Sequence, residues 1–301
     1  MASAPDLSCA DWALVGIPYD GTCTYRPGAR FAPMAIREAS YGLETYSPLL
    51  DAELGDATHF YDAGDLELPF GNRDACLERI YQAAQYVLQA NKRWFGIGGE
   101  HLVTYPVIQA YLQHFPNLAV LHFDAHADLR ADYMGEPLSH ATVLRRVVEA
   151  MGPDGAQRLV QVGIRSGPRA EFEWMRQHDT LVPGLDKFPG YLSRIAHRPV
   201  FVTIDLDVLD PSVLPGTGTP EPGGMQYTEL LEWLKAAQNL NVVGLDVVEL
   251  SPHYDASGVS TAVATKVIRE CLLNWPKTPT SPRSEANQQA RSAQALLPTT
   301  G

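Results

Sequence analysis

The sequence predicts an α/β fold: a single three-layer α/β/α domain with a mostly parallel central sheet and helices on both faces. Two observations carry this. Short apolar runs rich in Val, Ile, Leu and Phe recur along the chain, apolar throughout as strands buried on both faces are. These runs alternate with amphipathic stretches of helical spacing, and β and α elements in alternation build a parallel sheet covered by helices. The 301 residues, 45% of them hydrophobic, suffice for one large domain with a substantial core.

The elements follow in order. Trp12–Ile17 reads as a first strand ending at Pro18, and the Gly- and Pro-rich segment Tyr19–Pro33 as a long loop at the sheet's active edge. Met34–Tyr41 reads as a short helix and His59–Asp62 as a short strand. Asn72 is placed to cap a helix whose Leu77, Ile80, Tyr81, Ala84, Val87 and Leu88 form one apolar stripe. Strand 94–97, a helix near Tyr105–His114 and strand 118–123 come next. Helix 140–151 precedes strand Leu159–Gly163. Pro168–His178 reads as helix, followed by a loop around Pro183-Gly184. Strand 200–204, a helix 229–238 capped by Thr228, strand 242–248 and a final helix Val259–Leu273 complete the fold. The folded domain is expected over residues 1–275. From 276 to 301 the composition shifts to Pro, Ser, Thr, Gln and Ala without an apolar stripe, which predicts a disordered C-terminal tail. Its last residues, Leu297–Gly301, match a sortase motif but lack the apolar helix and basic end that such sorting needs.

A net charge of −12 argues against nucleic acid or an anionic membrane surface as a partner and mildly favours a cationic substrate. Cys9, Cys23, Cys76 and Cys271 are scattered without a C-x-x-C pair and read as free thiols of a reducing compartment. No basic-then-apolar leader opens the chain and no apolar stretch approaches the length of a membrane span, so a cytoplasmic location is expected.

The chemistry sits at three strand ends. Leu118–Phe123 runs into Asp124-Ala125-His126-Ala127-Asp128. Val200–Ile204 runs into Asp205-Leu206-Asp207. Trp94–Ile97 leads to Gly98-Gly99-Glu100-His101. In open α/β sheets the ligand crevice lies outside the carboxyl ends of the strands. If strand geometry continued through D-A-H-A-D, its alternate residues Asp124, His126 and Asp128 would share a side. One D-x-D after a strand is commonly a turn or cap; three such groups at three strand ends point to a site. So many carboxylates repel one another unless cations hold them. Carboxylate with imidazole and no thiolate points to Mn²⁺ first, with Ni²⁺, Co²⁺ or Fe²⁺ as alternatives. Six donors exceed what one ion with an open position takes, and they suit a pair about 3.5–4 Å apart with bridging carboxylates.

The motifs G-G-E-H (98–101), F-D-A-H-A-D-L (123–129), S-H-A-T (139–142) and T-I-D-L-D-V-L-D-P (203–211) resemble those of the ureohydrolase (arginase–agmatinase) superfamily. Gly216–Gly224 strengthens the likeness. Tyr25–Phe31 and Asp246–Pro252 are similar to the bacterial agmatinase branch. The resemblance spans about residues 11–273. It implies an arginase-like fold holding two Mn²⁺ per subunit. One ion would lie among His101, Asp124, Asp128 and Asp205, the other among Asp124, His126, Asp205 and Asp207, with Asp124 and Asp205 shared. Ala127 stands where relatives often carry Thr, a position that is not a ligand.

The reaction so implied is hydrolysis of a small cationic guanidino compound to an amine and urea. A guanidinium carbon is a poor electrophile, so the attacking water must be activated. Asp128 is placed to take its proton. His140 is the candidate donor to the leaving amine, since imidazole titrates near working pH. Glu249, at the end of the 242–248 run, is the candidate bidentate clamp for the guanidinium. Agmatine, giving putrescine, is the first expectation. Loop residues such as Arg130, Asp132, Tyr133 and Glu136 would choose between it and guanidinobutyrate, guanidinopropionate, free guanidine or arginine. A non-catalytic binding protein on the same scaffold is disfavoured because all six ligands, His140 and Glu249 are present. A zinc deacetylase of related fold is disfavoured because its second His–Asp pair is missing. A homotrimer or homohexamer is expected by analogy with relatives.

Overall fold

The computed structural model describes residues 3–276, so the expected C-terminal tail lies outside the described residues apart from Pro276. The chain runs β1 (Trp12–Gly16), α1 (Ala32–Ser40), a hairpin β2 (Tyr46–Ser47) and β3 (Ala52–Glu53), α2 (Leu54–Ala57), β4 (Phe60–Asp65), α3 (Arg73–Gln89), β5 (Arg93–Ile97), α4 (Thr104–His114) and β6 (Ala119–Phe123). It continues α5 (Val143–Met151), β7 (Leu159–Val162), α6 (Arg169–His178), α7 (Phe188–Ile195), β8 (Pro199–Asp205), α8 (Tyr227–Ala236), β9 (Asn241–Val248) and α9 (Val259–Asn274).

Seven strands form one sheet in the order β4-β1-β5-β9-β8-β6-β7, every pair parallel. Successive strand residues face opposite layers. Trp12, Leu14, Phe95, Ile97 and Leu121 pack with Ile36 of α1, Phe188 of α7, Leu230 of α8 and Val267 of α9. Ala13, Val15, Trp94 and Val120 pack on the other side with Ile80 of α3, Val107 of α4 and Val147 of α5. The expected three layers are therefore present, with apolar residues on both faces of the sheet. Chain order breaks between β5 and β6, which lie two strands apart in the sheet with β9 and β8 between them. A crevice at the carboxyl ends of these four neighbours is what such a switch in strand order creates.

Local differences from the sequence reading have identifiable causes. The helix expected at 229–238 begins at Tyr227, and its cap is Gln226, not Thr228: Gln226 N–H donates to Glu229 Oε2 at 2.7 Å in a capping box. Helix α7 occupies a stretch between the loop around Pro183-Gly184 and strand 200–204 to which the sequence assigns no element; Pro189 and Gly190 lie in its first turn, where proline is tolerated because the missing N–H would be unpaired anyway. The β2–β3 hairpin has two residues per strand, too few to show a period. Asn72 does cap α3, its side chain accepting from Ala75 N–H at 3.0 Å.

Candidate metal centre

Four neighbouring strands deliver the site. β5 ends at Ile97 and leads through Gly98-Gly99 to His101. β6 delivers Asp124, His126 and Asp128; β8 delivers Asp205 and Asp207; β9 delivers Glu249. Strand ends crowd here, and the two glycines answer to that. A Cβ on Gly99 would sit 1.9 Å from the Tyr19 carbonyl oxygen, and one on Gly98 would sit 2.7 Å from Val248 Cα. The Gly99 carbonyl in turn accepts from Glu249 N–H at 2.9 Å, tying the ends of β5 and β9 together.

The residues of D-A-H-A-D converge, but not by continuing the strand as the alternation suggested. β6 stops at Phe123, and Asp128 is reached through a turn that puts it at φ +54°. Glu249 likewise sits at φ +67°. Positive φ is uncommon for non-glycine residues, and it recurs where a side chain must be aimed. Each turn is held by neighbours: the Asp128 carbonyl accepts from Arg145 N–H of α5 at 3.0 Å, and Glu249 Oε1 accepts from His101 N–H at 2.7 Å.

Two groups of donor atoms face each other. His101 Nδ1 lies 3.0 Å from Asp124 Oδ2, 3.2 Å from Asp128 Oδ2 and 3.4 Å from Asp205 Oδ2. His126 Nδ1 lies 3.0 Å from Asp207 Oδ2 and 3.5 Å from Asp124 Oδ1. Asp124 thus turns one oxygen to each histidine. Asp205 faces the His101 group with Oδ2 while its Oδ1 accepts from Asp207 N–H at 2.8 Å. Asp207 is steadied by Ala125 N–H at 3.1 Å and by the Thr219 hydroxyl at 3.0 Å.

These residues fit divalent cations. His101 Nδ1 is buried and makes no hydrogen bond, although three carboxylate oxygens surround it. Its Nε2 lies 3.0 Å from Thr203 Oγ1, the outer contact that a metal-ligating imidazole characteristically makes. Asp124, Asp128, Asp205 and Asp207 are all buried, and among the described residues their ion pairs are with histidines alone. Burying carboxylates together without cations is costly. The electrostatics record that cost. Burial, then the Asp207 and Asp124 charges, hold Asp205 well above the ordinary carboxylate range. Burial and the Asp124 charge push Asp128 up to about 7. Burial alone would lower His126, but Asp207 and Asp124 override it and raise it far above an ordinary imidazole.

The cluster opens into a cavity of about 280 Å³. His101, His126, Asp128, Asp205, His140 and Glu249 line it. His140 sits just after Ser139, which caps the short 3₁₀ turn leading into α5. Its Nδ1 lies 3.4 Å from Thr22 Oγ1, and its ring stands edge-on to Tyr133 at 5.6 Å. Burial lowers His140 to about 4, so without metal its ring rests neutral. Of the loop residues, Arg130 and Tyr133 reach the cavity wall, whereas Glu136 turns away to pair with Arg73. Sequence reasoning gave no role to Glu171 and Glu221, which also line the cavity. Glu221 Oε1 accepts from Ser166 Oγ at 2.8 Å, and Glu171 Oε1 accepts from Leu129 N–H at 2.8 Å. Nothing near Glu171 in sequence marks it; α6, which follows β7, carries it to the cavity.

Fold and cluster together define an α/β protein with a His/Asp metal-binding site at the carboxyl end of a parallel sheet. The chain belongs to the arginase family, whose sequence model matches residues 10–274, and enzymes of that family use a binuclear metal centre. It is 48% identical over 282 residues to the agmatinase of Bacillus subtilis, covering 92% of this chain and 96% of that one. It is 34% identical over 287 residues to the human mitochondrial guanidino acid hydrolase, covering 90% and 80%. Among solved structures, the agmatine ureohydrolase of Thermoplasma volcanium superposes with a TM-score of 0.79 at 28% identity, covering 95% and 94%. The four cysteines are free, as expected, and among the described residues no helix is long and apolar enough to cross a membrane.

Proposed function

We propose that this protein hydrolyses agmatine to putrescine and urea, using two Mn²⁺ ions per chain. The observation that carries the reading is the buried Asp/His cluster, which among the described residues has no Lys or Arg counter-ion and opens onto a cavity walled by His140 and Glu249. The similarity to a Bacillus agmatinase supports the choice of substrate. His101, Asp124, Asp128 and Asp205 would hold one ion, and Asp124, His126, Asp205 and Asp207 the other. Ions bound there would supply the Lewis acidity that makes water nucleophilic at neutral pH.

The chain's own residues do the rest. Glu249, fixed by His101 N–H, offers its carboxylate to the guanidinium and holds the carbon over the cluster. Asp128 accepts the proton of the attacking water. His140, neutral at rest and steadied by Thr22, relays a proton to the departing amine. Glu171 and Glu221 give the cavity wall negative charge, which favours an ammonium tail.

One observation favours a second reading. Arg130 also lines the cavity and lies 4.9 Å from the Tyr133 ring. A cation there suits a carboxylate tail, as on guanidinobutyrate, so a guanidino acid is the alternative substrate. Urea release from agmatine, guanidinobutyrate, guanidinopropionate, arginine and guanidine decides: agmatine should show the highest kcat/KM, and activity confined to a guanidino acid overturns the first reading. A soluble homotrimer or homohexamer is proposed on family analogy alone, with sedimentation velocity as its test.

A further inference from the structure

His122 lies on β6 two residues before Asp124, fully buried, and has no part in the mechanism above. Its Nε2 is 2.8 Å from Asp124 Oδ2. Its atoms, with those of His101 and Asp124, are close enough together to hold one ion, so it is either a ligand or a support. The hydrogen-bond pattern distinguishes the two. His122 is the cross-strand register partner of Gln161 on β7. Gln161 Nε2 lies 3.1 Å from the Ala127 carbonyl, which can only accept, so this is the amino end of the amide. The carbonyl end, Oε1, accepts from Thr180 Oγ1 at 2.9 Å. The second amino hydrogen points to His122 Nδ1 at 3.2 Å. Nδ1 therefore accepts, and the ring's hydrogen is on Nε2, aimed at Asp124. A nitrogen that carries a proton has no lone pair for a metal.

We infer that His122, held in its Nε2–H form by Gln161 and Thr180, is a positioning residue that locks the Asp124 carboxylate into the orientation that serves both metal positions. The inference rests on the two-metal reading and extends it. Asp124 Oδ2 receives the His122 hydrogen bond and faces His101 Nδ1 at 3.0 Å. Asp124 Oδ1 receives His126 N–H at 2.6 Å and faces His126 Nδ1 at 3.5 Å. Each oxygen thus has one fixed donor and one open side, directed to a different half of the site. Asp124 is fully buried, so rotating its carboxylate would break both hydrogen bonds at the cost of leaving buried donors unpaired. Gln161 is anchored as firmly: its N–H donates to the Thr180 carbonyl at 2.8 Å, and its own carbonyl accepts from Val182 N–H at 2.9 Å.

The test uses Mn²⁺ alone as the probe, with free Mn²⁺ read by electron paramagnetic resonance. His122→Phe fills the space without a donor and should weaken Mn²⁺ binding by ~10–100-fold, the usual effect of losing an outer-sphere partner of a ligand. His122→Gln can donate to Asp124 and accept from Gln161 at once, and should recover most of that loss. Two ions bound as tightly by His122→Phe as by the wild type overturn the inference. A wild type that binds fewer than two ions sinks the two-metal reading instead, so the failures are distinct. Should the variants not fold, ¹⁵N-histidine NMR of the wild-type protein without metal still decides. With the ring assigned through its own backbone, His122 should show a bare Nδ1 and a protonated Nε2, and a proton on Nδ1 contradicts the account.

Discussion

Two clusters of buried charge in this molecule are built on opposite plans. On α9, Arg269 and Glu270 are both buried and pair with each other. Glu270 Oε2 also accepts from Ser47 Oγ at 2.7 Å, and an Arg269 guanidinium nitrogen donates to the Glu44 carbonyl at 2.7 Å. That cluster supplies its own counter-ion and its own hydrogen bonds, and it pins the segment around β2 to the last helix. The strand-end cluster gathers four buried carboxylates and, among the described residues, pairs them with no Lys or Arg. A chain that withholds the cation leaves a place for one to bind. The first cluster is fold; the second is a site, and perturbing each should affect different measurements.

The largest expected effect is on the shared ligand. Asp124→Asn should abolish urea formation and weaken Mn²⁺ by at least ~100-fold, more than loss of an outer partner costs; equilibrium dialysis with metal analysis checks this. Next is His140→Asn, which should lower kcat by ~10²–10⁴-fold, the scale of a lost proton relay. It should leave two Mn²⁺ bound, so a variant that also loses metal would assign His140 to the wrong group. On the structural side, Arg269→Met strands the buried Glu270 and should cost about 3–5 kcal/mol of stability in chemical denaturation, with Mn²⁺ affinity unchanged. Glu249→Gln weakens a charge-assisted bond to the guanidinium and should lower kcat/KM by ~10–100-fold; an unchanged value would remove it from the substrate.

The smallest effect is on pH dependence. Burial raises Asp128 to about 7, Glu100 to about 8 and Asp246 to about 6. Acids raised on folding contribute stability that is complete below their unfolded pKa near 4 and is lost as pH rises through those folded values. His101 and His126, raised by their carboxylate neighbours, act in the same direction above pH 6.5. His140 and His122, lowered by burial, work the other way only up to about pH 6.5, so metal-free protein should melt lower at pH 8.5 than at pH 6.5. Mn²⁺ should narrow the gap, because ions replace the protons and bind better as the ligands deprotonate. A Tm that rises with pH in the metal-free protein contradicts this assignment of charge.

The same contrast explains what could be read in the sequence. Asp124, Asp128, Asp205 and Asp207 announce themselves because, although one carboxylate after a strand commonly makes a turn or cap, such groups at three strand ends exceed what capping needs. His122 and Gln161 do not, because each lies inside a run that reads as ordinary strand, and only the β6–β7 register makes them partners. Asp128 was found through its spacing while its route, a turn at positive φ rather than a continued strand, was not. Glu171 stayed hidden because only tertiary packing carries α6 to the cavity. Helix α7 was masked by Pro189 and Gly190, which mark loops more often than helix starts.

The most direct test of the central claim is a titration of metal-free protein with Mn²⁺ while urea release from saturating agmatine is followed, with Asp128→Asn in parallel. The account predicts wild-type activity that rises and levels off at two Mn²⁺ per chain, with little urea from the variant. A chain that holds two Mn²⁺ yet releases no urea from agmatine, or one that reaches full activity without metal, would contradict it.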